Sequence, residues 1–346
     1  MISLCQSGYE SLLARELEMG GLVVQAQGPG WALSAASAPG AAPSSPDSGG
    51  LPDLAFAQLS LRDPMQLKGE SVNALAQGIA DYLLQSLRGE RVDAPWPCVF
   101  DGPADLVGLG RRVGAVEKTF HDELRKRLSR VEKLASADRP RSMGIARGLF
   151  VWFVDFGHCF MAREAQVHGQ RRMADDPLAP SRSYLKIEEA YSVLGREPQE
   201  GETVVDLGAA PGGWSYSAAK RGARVLAIDN GPLKGGALGH PNIEHRTEDA
   251  FKFQPREGES FDWLFCDIVE EPHHVIRNII EPWLARGWCR HYVINLKFGR
   301  VDHNAFLQEL RAPSSPFVAH SSCWHVRHLY HDREEFTVVG EVRPRK

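Results

Sequence analysis

The sequence predicts an α/β protein in two parts, a small α+β unit followed by a parallel sheet covered by helices. Three observations carry this reading. From Ser183 onward, short β-branched runs alternate with helical stretches, the pattern of a sheet whose parallel strands are joined by helices. The first of those runs ends in a glycine-rich turn, Gly208-Ala-Ala-Pro-Gly-Gly213. Ahead of residue 165 the apolar periodicities instead mark separate helices and a strand, with interruptions.

Taken in order, residues 1–165 are expected to form the first unit. Tyr9-Glu-Ser-Leu-Leu-Ala-Arg-Glu-Leu17 has helical spacing, and Val72, Leu75, Ile79, Leu83 and Leu87 mark a second amphipathic helix. Between them, residues 28–54 are rich in Gly, Ala, Ser and Pro, which predicts a flexible insertion. A third helix is expected from about Val116 to Leu134, and the apolar run Gly148-Leu-Phe-Val-Trp-Phe-Val154 reads as a buried strand. Residues 166–182 lose periodicity and contain two prolines, so they are expected to be a linker. In residues 183–346, buried strands are predicted at Thr203–Leu207, Arg224–Asp229, Asp262–Asp267 and Tyr292–Leu296, with a helix at Trp214–Lys220. Trp324–Tyr330 and Glu335–Glu341 read as an antiparallel hairpin closing one edge.

Bulk properties agree with one large or two medium domains: 346 residues, 43% hydrophobic, formal net charge -4. No stretch approaches the ~20 apolar residues of a spanning helix, and the N-terminus has no secretory character. Six scattered cysteines without a CxxC pair suit reduced thiols in a cytoplasmic protein. His325, His328 and His331 fall on a predicted strand and turn, where their spacing does not bring them together, so no metal is expected. From Arg111 to Arg147 there are eleven Lys or Arg against five Asp or Glu, a basic stretch that could meet phosphates or be a solvated helix face. Nothing suggests an obligate apolar interface, and a monomer is expected.

The glycine turn carries the chemistry. Glycines after a strand let the backbone approach a ligand, and the helix that follows offers free N–H groups. Asp229 ends the next strand, where a carboxylate can take both hydroxyls of a ribose. A dinucleotide fingerprint would have glycine where Ala210 stands and would exclude Pro211, which disfavours a nicotinamide enzyme.

The D-L-G-x-x-P-G-G-[WF] sequence with a following acidic strand end resembles the S-adenosylmethionine site of ribose-2'-O-methyltransferases. Pro180-Ser-Arg-Ser-Tyr-Leu-Lys186, Asp249-Ala-Phe-Lys-Phe253, Cys266-Asp-Ile-Val-Glu270, Asn295-Leu-Lys297 and Tyr330-His-Asp-Arg-Glu-Glu335 resemble the bacterial large-subunit ribosomal RNA methyltransferase M family. The resemblance covers residues 180–340 and is weaker before them. It implies a Rossmann-like class I methyltransferase sheet behind a THUMP-like RNA-binding region. It also implies 2'-O-methylation of a cytidine ribose in 23S ribosomal RNA before subunit assembly is complete.

The resemblance further implies site residues. Lys186, Asp267, Lys297 and Glu335 match the Lys-Asp-Lys-Glu set of these enzymes. Lys297 is expected to be the general base, Lys186 a second cation lowering its pKa, Asp267 the balancing carboxylate and Glu335 the residue that positions it. Glu334 competes with Glu335 for that place, because strand alternation alone leaves the choice open. For the donor, Ser183, Ala210, Pro211, Gly212, Gly213 and Trp214 are expected at the methionine end, Asp229 at the ribose, Asp249 at the adenine and Asp267 near the methyl group. Asp249 could equally cap a short helix. A base-nitrogen methyltransferase is disfavoured by Asp267-Ile-Val-Glu270 in place of an Asn/Asp-Pro-Pro-aromatic sequence. The non-enzymatic alternative is an RNA-binding assembly protein that keeps the fold without turnover.

Overall fold

Contacts divide the chain after His168 into a first unit, Met1–His168, and a second, Gly169–Lys346. The structure, a computed structural model, describes residues 1–36 and 52–344.

The first unit is built on β1 (Ile2–Cys5), α1 (Glu10–Met19), β2 (Leu22–Gly28), β3 (Trp31–Ala36), β4 (Ala57–Leu61), β5 (Met65–Lys68) and α2 (Val72–Ser86). It continues with β6 (Trp96–Asp101), α3 (Leu109–Lys133), β7 (Ala135–Ser136), β8 (Gly144–Phe153) and β9 (His158–Val167). Among the described residues the strands form a nine-stranded sheet of order β2-β3-β1-β4-β9-β8-β6-β7, with β5 also on β9. The helices exist because their apolar residues recur every three or four positions. In α2, Leu75, Ile79 and Leu83 are fully buried, and in α3 Val116, Phe120 and Leu124 are. Burying each such side chain is worth roughly 1.5–3 kcal/mol. The Ser71 hydroxyl accepts from the Ala74 N–H at 3.0 Å and fixes where α2 starts.

Three expectations need correction here. The insertion expected at 28–54 is structured at both described ends. Gly28 closes β2, Trp31–Ala36 is β3, and Ile2 pairs with Leu33. Leu54, Ala55 and Phe56 are buried, and the Glu16 carboxylate accepts from the Ala55 and Phe56 N–H groups. Small residues of low strand propensity form β3 because β1 and β2 satisfy its backbone from both sides. Positions 37–51 of that expectation lie outside the described residues. The linker expected at 166–182 loses Gln166 and Val167 to β9, where Val167 pairs with both Leu59 and Gly144. His168 also stays with the first unit, and 169–182 belong to the second: the Arg171 N–H donates to Glu189 at 2.9 Å, and Met173 packs against the cluster containing Tyr184 and Tyr216. Finally, α3 begins at Leu109, ahead of the expected Val116, because Gly108 supplies the left-handed entry at φ 88°. Gly110 and Gly114 had hidden those first turns.

The second unit runs α4 (Tyr184–Leu194), β10 (Thr203–Leu207), α5 (Gly213–Ala219), β11 (Arg224–Ile228), β12 (Ile243–Arg246) and β13 (Phe261–Cys266). It continues α6 (Pro272–Val275), α7 (Glu281–Arg286), β14 (Cys289–Lys297), α8 (His303–Arg311), α9 (Pro316–His320), β15 (Ser321–Arg327) and β16 (Glu335–Val342). The sheet order is β12-β11-β10-β13-β14-β16-β15. The first five strands are parallel, while β16 enters antiparallel between β14 and β15. β12 has no apolar run of its own and, among the described residues, pairs with β11 alone, which is why the sequence did not show it. The centre of the core is aromatic: Trp263 and Phe265 on β13 meet Tyr191 from α4 and Trp214 from α5. Strand order reverses at β10 and β13, so the ends of these strands open the crevice in which doubly wound sheets bind ligands. Among the described residues, no helix is long and apolar enough to cross a membrane.

Candidate active site

The site is assembled at the carboxyl ends of β10, β11, β13 and β14. β10 leads into Gly208, at φ 79°, where an added Cβ would lie 2.7 Å from Ile268 Cγ1. Gly212, at φ 104°, would place one 2.5 Å from Ala237 Cβ, so only glycine fits this bend. The Ala210–Pro211 peptide between them is cis. α5 starts at Gly213 and is anchored from below: the Ser215 hydroxyl donates to Asp206 at 2.6 Å. Asp206 is buried with its other oxygen unpartnered, and burial pushes its carboxyl up to about 7 despite the Ser215 bond.

Asp229, one residue beyond β11, ties two turns together. One oxygen accepts from the Ala210 N–H at 3.0 Å and the other from the Gly231 N–H at 2.6 Å. A carboxylate has about four acceptor positions, so Asp229 keeps capacity for the two hydroxyls of a ribose. Asp249 caps no helix, since a turn follows it: Oδ1 accepts from the Phe251 N–H at 3.0 Å, and Oδ2 lies 3.4 Å from Lys252. Trp214 faces inward, and its indole N–H donates to the Ser183 carbonyl at 2.9 Å.

The four expected polar residues come together. Lys297, the last residue of β14, donates to Asp267 Oδ1 at 2.6 Å and to Glu335 Oε2 at 2.5 Å. The other oxygen of Glu335 is paired with Lys186. Asp267 Oδ2 accepts from the Ser183 hydroxyl at 2.6 Å, linking the set to the start of α4. Sheet register decides between the two glutamates. Lys297 stands directly opposite Glu335 in the β14–β16 ladder, whereas the Glu334 side chain is 74% exposed and meets His303.

Electrostatics reverse one expectation. Lys186 was expected to lower the pKa of Lys297, but Glu335 stands between the two lysines and neutralises that effect. Burial alone would lower the Lys297 pKa, yet Asp267 and Glu335 outweigh it and hold the ammonium above the ordinary lysine range. Burial opposes ionisation of Asp267 too, and Lys297 and Lys186 overcome it, keeping this carboxyl below its usual range. Glu335 is held low in the same way, against burial, by Lys186 and Lys297.

Several site residues escaped the sequence reading. Asn295 is fully buried and its side-chain oxygen accepts the third Lys297 bond at 2.6 Å. Period-two alternation puts Asn295 on the same strand face as Lys297, a signal the sequence did contain. Glu189 on α4 takes the N–H groups of Arg171, Tyr330 and His331, so it fixes the loop leading into Glu335. A cavity of about 780 Å³ opens beside the polar set, with Lys186, Lys297, Glu335, Arg172, Arg182 and Tyr330 in its wall. There the Arg172 guanidinium lies 5.0 Å over the Tyr330 ring.

The basic stretch of the first unit is largely paired. Arg125 meets Asp122 and Glu132, Arg127 meets Asp81, Arg130 meets Asp93, Arg139 meets Asp101 and Arg147 meets Glu90. Its surplus charge is therefore smaller at the surface than in the sequence, since several of these acids lie outside the window. Exposed pairs of this kind are worth about 0–1 kcal/mol and open readily.

A sheet with one antiparallel strand inserted near its edge, a glycine turn at the switch point and an acidic residue ending the neighbouring strand define an S-adenosylmethionine-dependent methyltransferase of the Rossmann-like class. The FtsJ-like methyltransferase family model matches residues 179–294. The chain is 34% identical to the Ribosomal RNA large subunit methyltransferase M of Halorhodospira halophila, over 97% of this chain and 95% of that protein. It is 44% identical to the protein of the same name from Laribacter hongkongensis, over 48% of each. The chain belongs to the ribosomal RNA large subunit methyltransferase M family and is an rRNA methyltransferase that uses S-adenosylmethionine.

Proposed function

We propose that the chain methylates the 2'-hydroxyl of a cytidine ribose in 23S ribosomal RNA, before the subunit is complete, with Lys297 as general base. The observation that carries this reading is the closed Lys186–Glu335–Lys297–Asp267 array at the mouth of a cavity wide enough for a nucleotide.

S-adenosylmethionine supplies an electrophilic methyl group on a cationic sulfur. Its ribose would be held by Asp229, and its amino acid end by the turn from Ala210 to Trp214 together with Ser183. An added Cβ at Gly213 would fall 3.0 Å from Ser181 Oγ and 3.1 Å from the Tyr184 nitrogen, so glycine keeps this seat shallow. Asp249 would meet the adenine while its Oδ1 holds the Phe251 N–H and its Oδ2 faces Lys252.

In the resting arrangement Lys297 carries its proton, with both carboxylates bonded to it. A base must first lose that proton, which passes to solvent in the cavity that Lys297 lines. A cation brought beside Asp267 draws on the same carboxylate and favours the neutral amine, because a nearby like charge disfavours the ammonium. Glu335 keeps its second oxygen on Lys186, so its negative charge remains compensated while Lys297 is neutral. The neutral amine would then accept the 2'-hydroxyl proton as the oxygen takes the methyl group from sulfur, the electrons of the broken S–C bond staying on the departing thioether, and Lys186 would lend positive charge to the developing alkoxide.

Arg182 and the stacked Arg172–Tyr330 pair suit the phosphate and nucleobase of the acceptor, since bases stack on aromatic rings and on guanidinium planes. The basic face of α3 would add phosphate contacts as its surface pairs open, an RNA-binding role for the first unit. The experiment that tests the reading is mapping of 2'-O-methylation on rRNA from cells lacking the protein. One ribose should lose its methyl group and regain it on incubation with purified protein and S-adenosylmethionine. A full set of ribose methyl groups in those cells would overturn it.

A further inference from the structure

Lys297 has three ammonium hydrogens, and each has a partner. Two go to the carboxylates of Asp267 and Glu335, and the third to the amide oxygen of Asn295. The third partner differs in kind, being neutral, wholly buried and locked in place. Its Nδ2 donates to Thr337 Oγ1 at 3.1 Å and to Asp332 Oδ1 at 3.3 Å. Thr337 Oγ1 in turn donates to Asp332, whose Oδ2 also accepts from the Leu329 N–H at 2.9 Å. Every donor hydrogen in this chain has an acceptor, which fixes the orientation of the amide. Turned over, it would set its NH2 against the ammonium and its oxygen against the Asp332 carboxyl.

The β14–β16 register explains why these residues meet. Asn295 stands opposite Thr337 and Lys297 opposite Glu335, two rungs of one ladder two residues apart, and so on one face. Lys186, Lys297 and Glu335 line the cavity, where an incoming ribose can compete for their bonds. Asn295 is 0% exposed, so no ribose reaches its bond.

We propose that Asn295 is a positioning residue for Lys297, a neutral buried acceptor that holds the amine in one orientation from behind while the charged partners are exchanged on the cavity side. The proposal rests on the reading of Lys297 as base. Neutrality is the essential property. A primary amine keeps two hydrogens and one lone pair, so an acceptor that retains one hydrogen still leaves the lone pair for the acceptor hydroxyl. A carboxylate in its place would favour the ammonium and resist loss of the proton. The charged and titratable groups facing Lys297 are Asp267 and Cys266 at the end of β13, Glu335 on β16 and Lys186 on α4, with Asp332 behind Asn295.

The test is a set of pH–rate profiles under single turnover, with S-adenosylmethionine saturating and unmethylated rRNA as acceptor. Asn295→Asp adds an anion beside the ammonium. Its rate near neutral pH should fall about tenfold and recover as pH rises, the equivalent of about one unit in the apparent pKa. Asn295→Ala should lower the rate at every pH, with KM for RNA and S-adenosylhomocysteine affinity unchanged. A purely structural role would move those two quantities and leave the midpoint of the profile in place. Should either variant fail to fold, Thr337→Val carries the test, since it removes one of the bonds that lock the amide and should lower the rate without changing KM. An Asn295→Asp profile that superimposes on the wild type, or a Thr337→Val rate equal to wild type, would overturn the proposal. Lys297→Met in the same assay separates the two ideas. If that variant is active the base reading fails, and if it is inactive while the Asn295 variants are unaffected, only the positioning role fails.

Discussion

Replacing Lys297 by methionine keeps an unbranched, flexible side chain one atom shorter and removes the ammonium with its charge and hydrogen-bond donors. In the structure this deletes three bonds of 2.5–2.6 Å and leaves Asp267 and Glu335 without their shared cation. General-base catalysis contributes about 10²–10⁴-fold, which is about 3–5 kcal/mol of barrier, so single-turnover methyl transfer should fall by that factor. Folding should suffer less. Removing one partner from a buried pair costs about 3–5 kcal/mol. The Lys297 side chain is 20% exposed and Glu335 keeps Lys186, so roughly 1–3 kcal/mol is expected here after discounting for solvent. Binding of S-adenosylhomocysteine should be nearly unchanged, because the base acts on a proton that moves only in the transition state. The assay is transfer of labelled methyl to rRNA from cells lacking the protein, with calorimetry and product binding on the same preparation. A variant that folds, binds the product and transfers methyl within about tenfold of wild type would refute the assignment.

Three further outcomes follow from particular contacts. Gly212→Ala should abolish S-adenosylhomocysteine binding and lower Tm, because a left-handed φ costs about 1–2 kcal/mol and the new Cβ meets Ala237; equal affinity in calorimetric titration would contradict this. Tyr330→Ala should raise KM for RNA about fivefold or more, since stacking is worth roughly 1–3 kcal/mol per base. Tyr330→Phe should keep the wild-type KM, and equal KM in both would remove the stacking role. Asp206 carries a folded pKa of about 7 against an ordinary value of 3.8, so folding favours its protonated form. Its contribution is full below the unfolded pKa and is lost as pH rises through about 7. Tm should therefore decline less steeply between those values in Asp206→Asn than in wild type, and parallel Tm curves would argue against it.

Much of the second unit was legible because burial on both faces of a parallel sheet writes itself as short apolar runs, as in Val204–Leu207 and Trp263–Cys266. The glycine turn was legible for a similar reason: the positions at φ 79° and 104° admit no other residue without strain or collision. What stayed hidden depends on partners distant in sequence. β3 is a strand because two neighbours satisfy it, although its Trp-Ala-Leu-Ser-Ala-Ala composition argues for a loop. The choice of Glu335 over Glu334 needed the register of β14 against β16. The charge state of Lys297 needed the position of Glu335 between two lysines, which no spacing rule encodes.

The antiparallel run of β16 makes the chemistry sensitive to length more than to composition. Because β14 ends and β16 begins at the same rim of the sheet, residues 297 and 335 become facing neighbours. Adding a single position between Phe336 and Thr337 would turn Phe336 toward the lysine and send the carboxylate to the opposite surface. Variants of this family should therefore keep the count of residues along this edge unchanged, even where the side chains on its outer face differ.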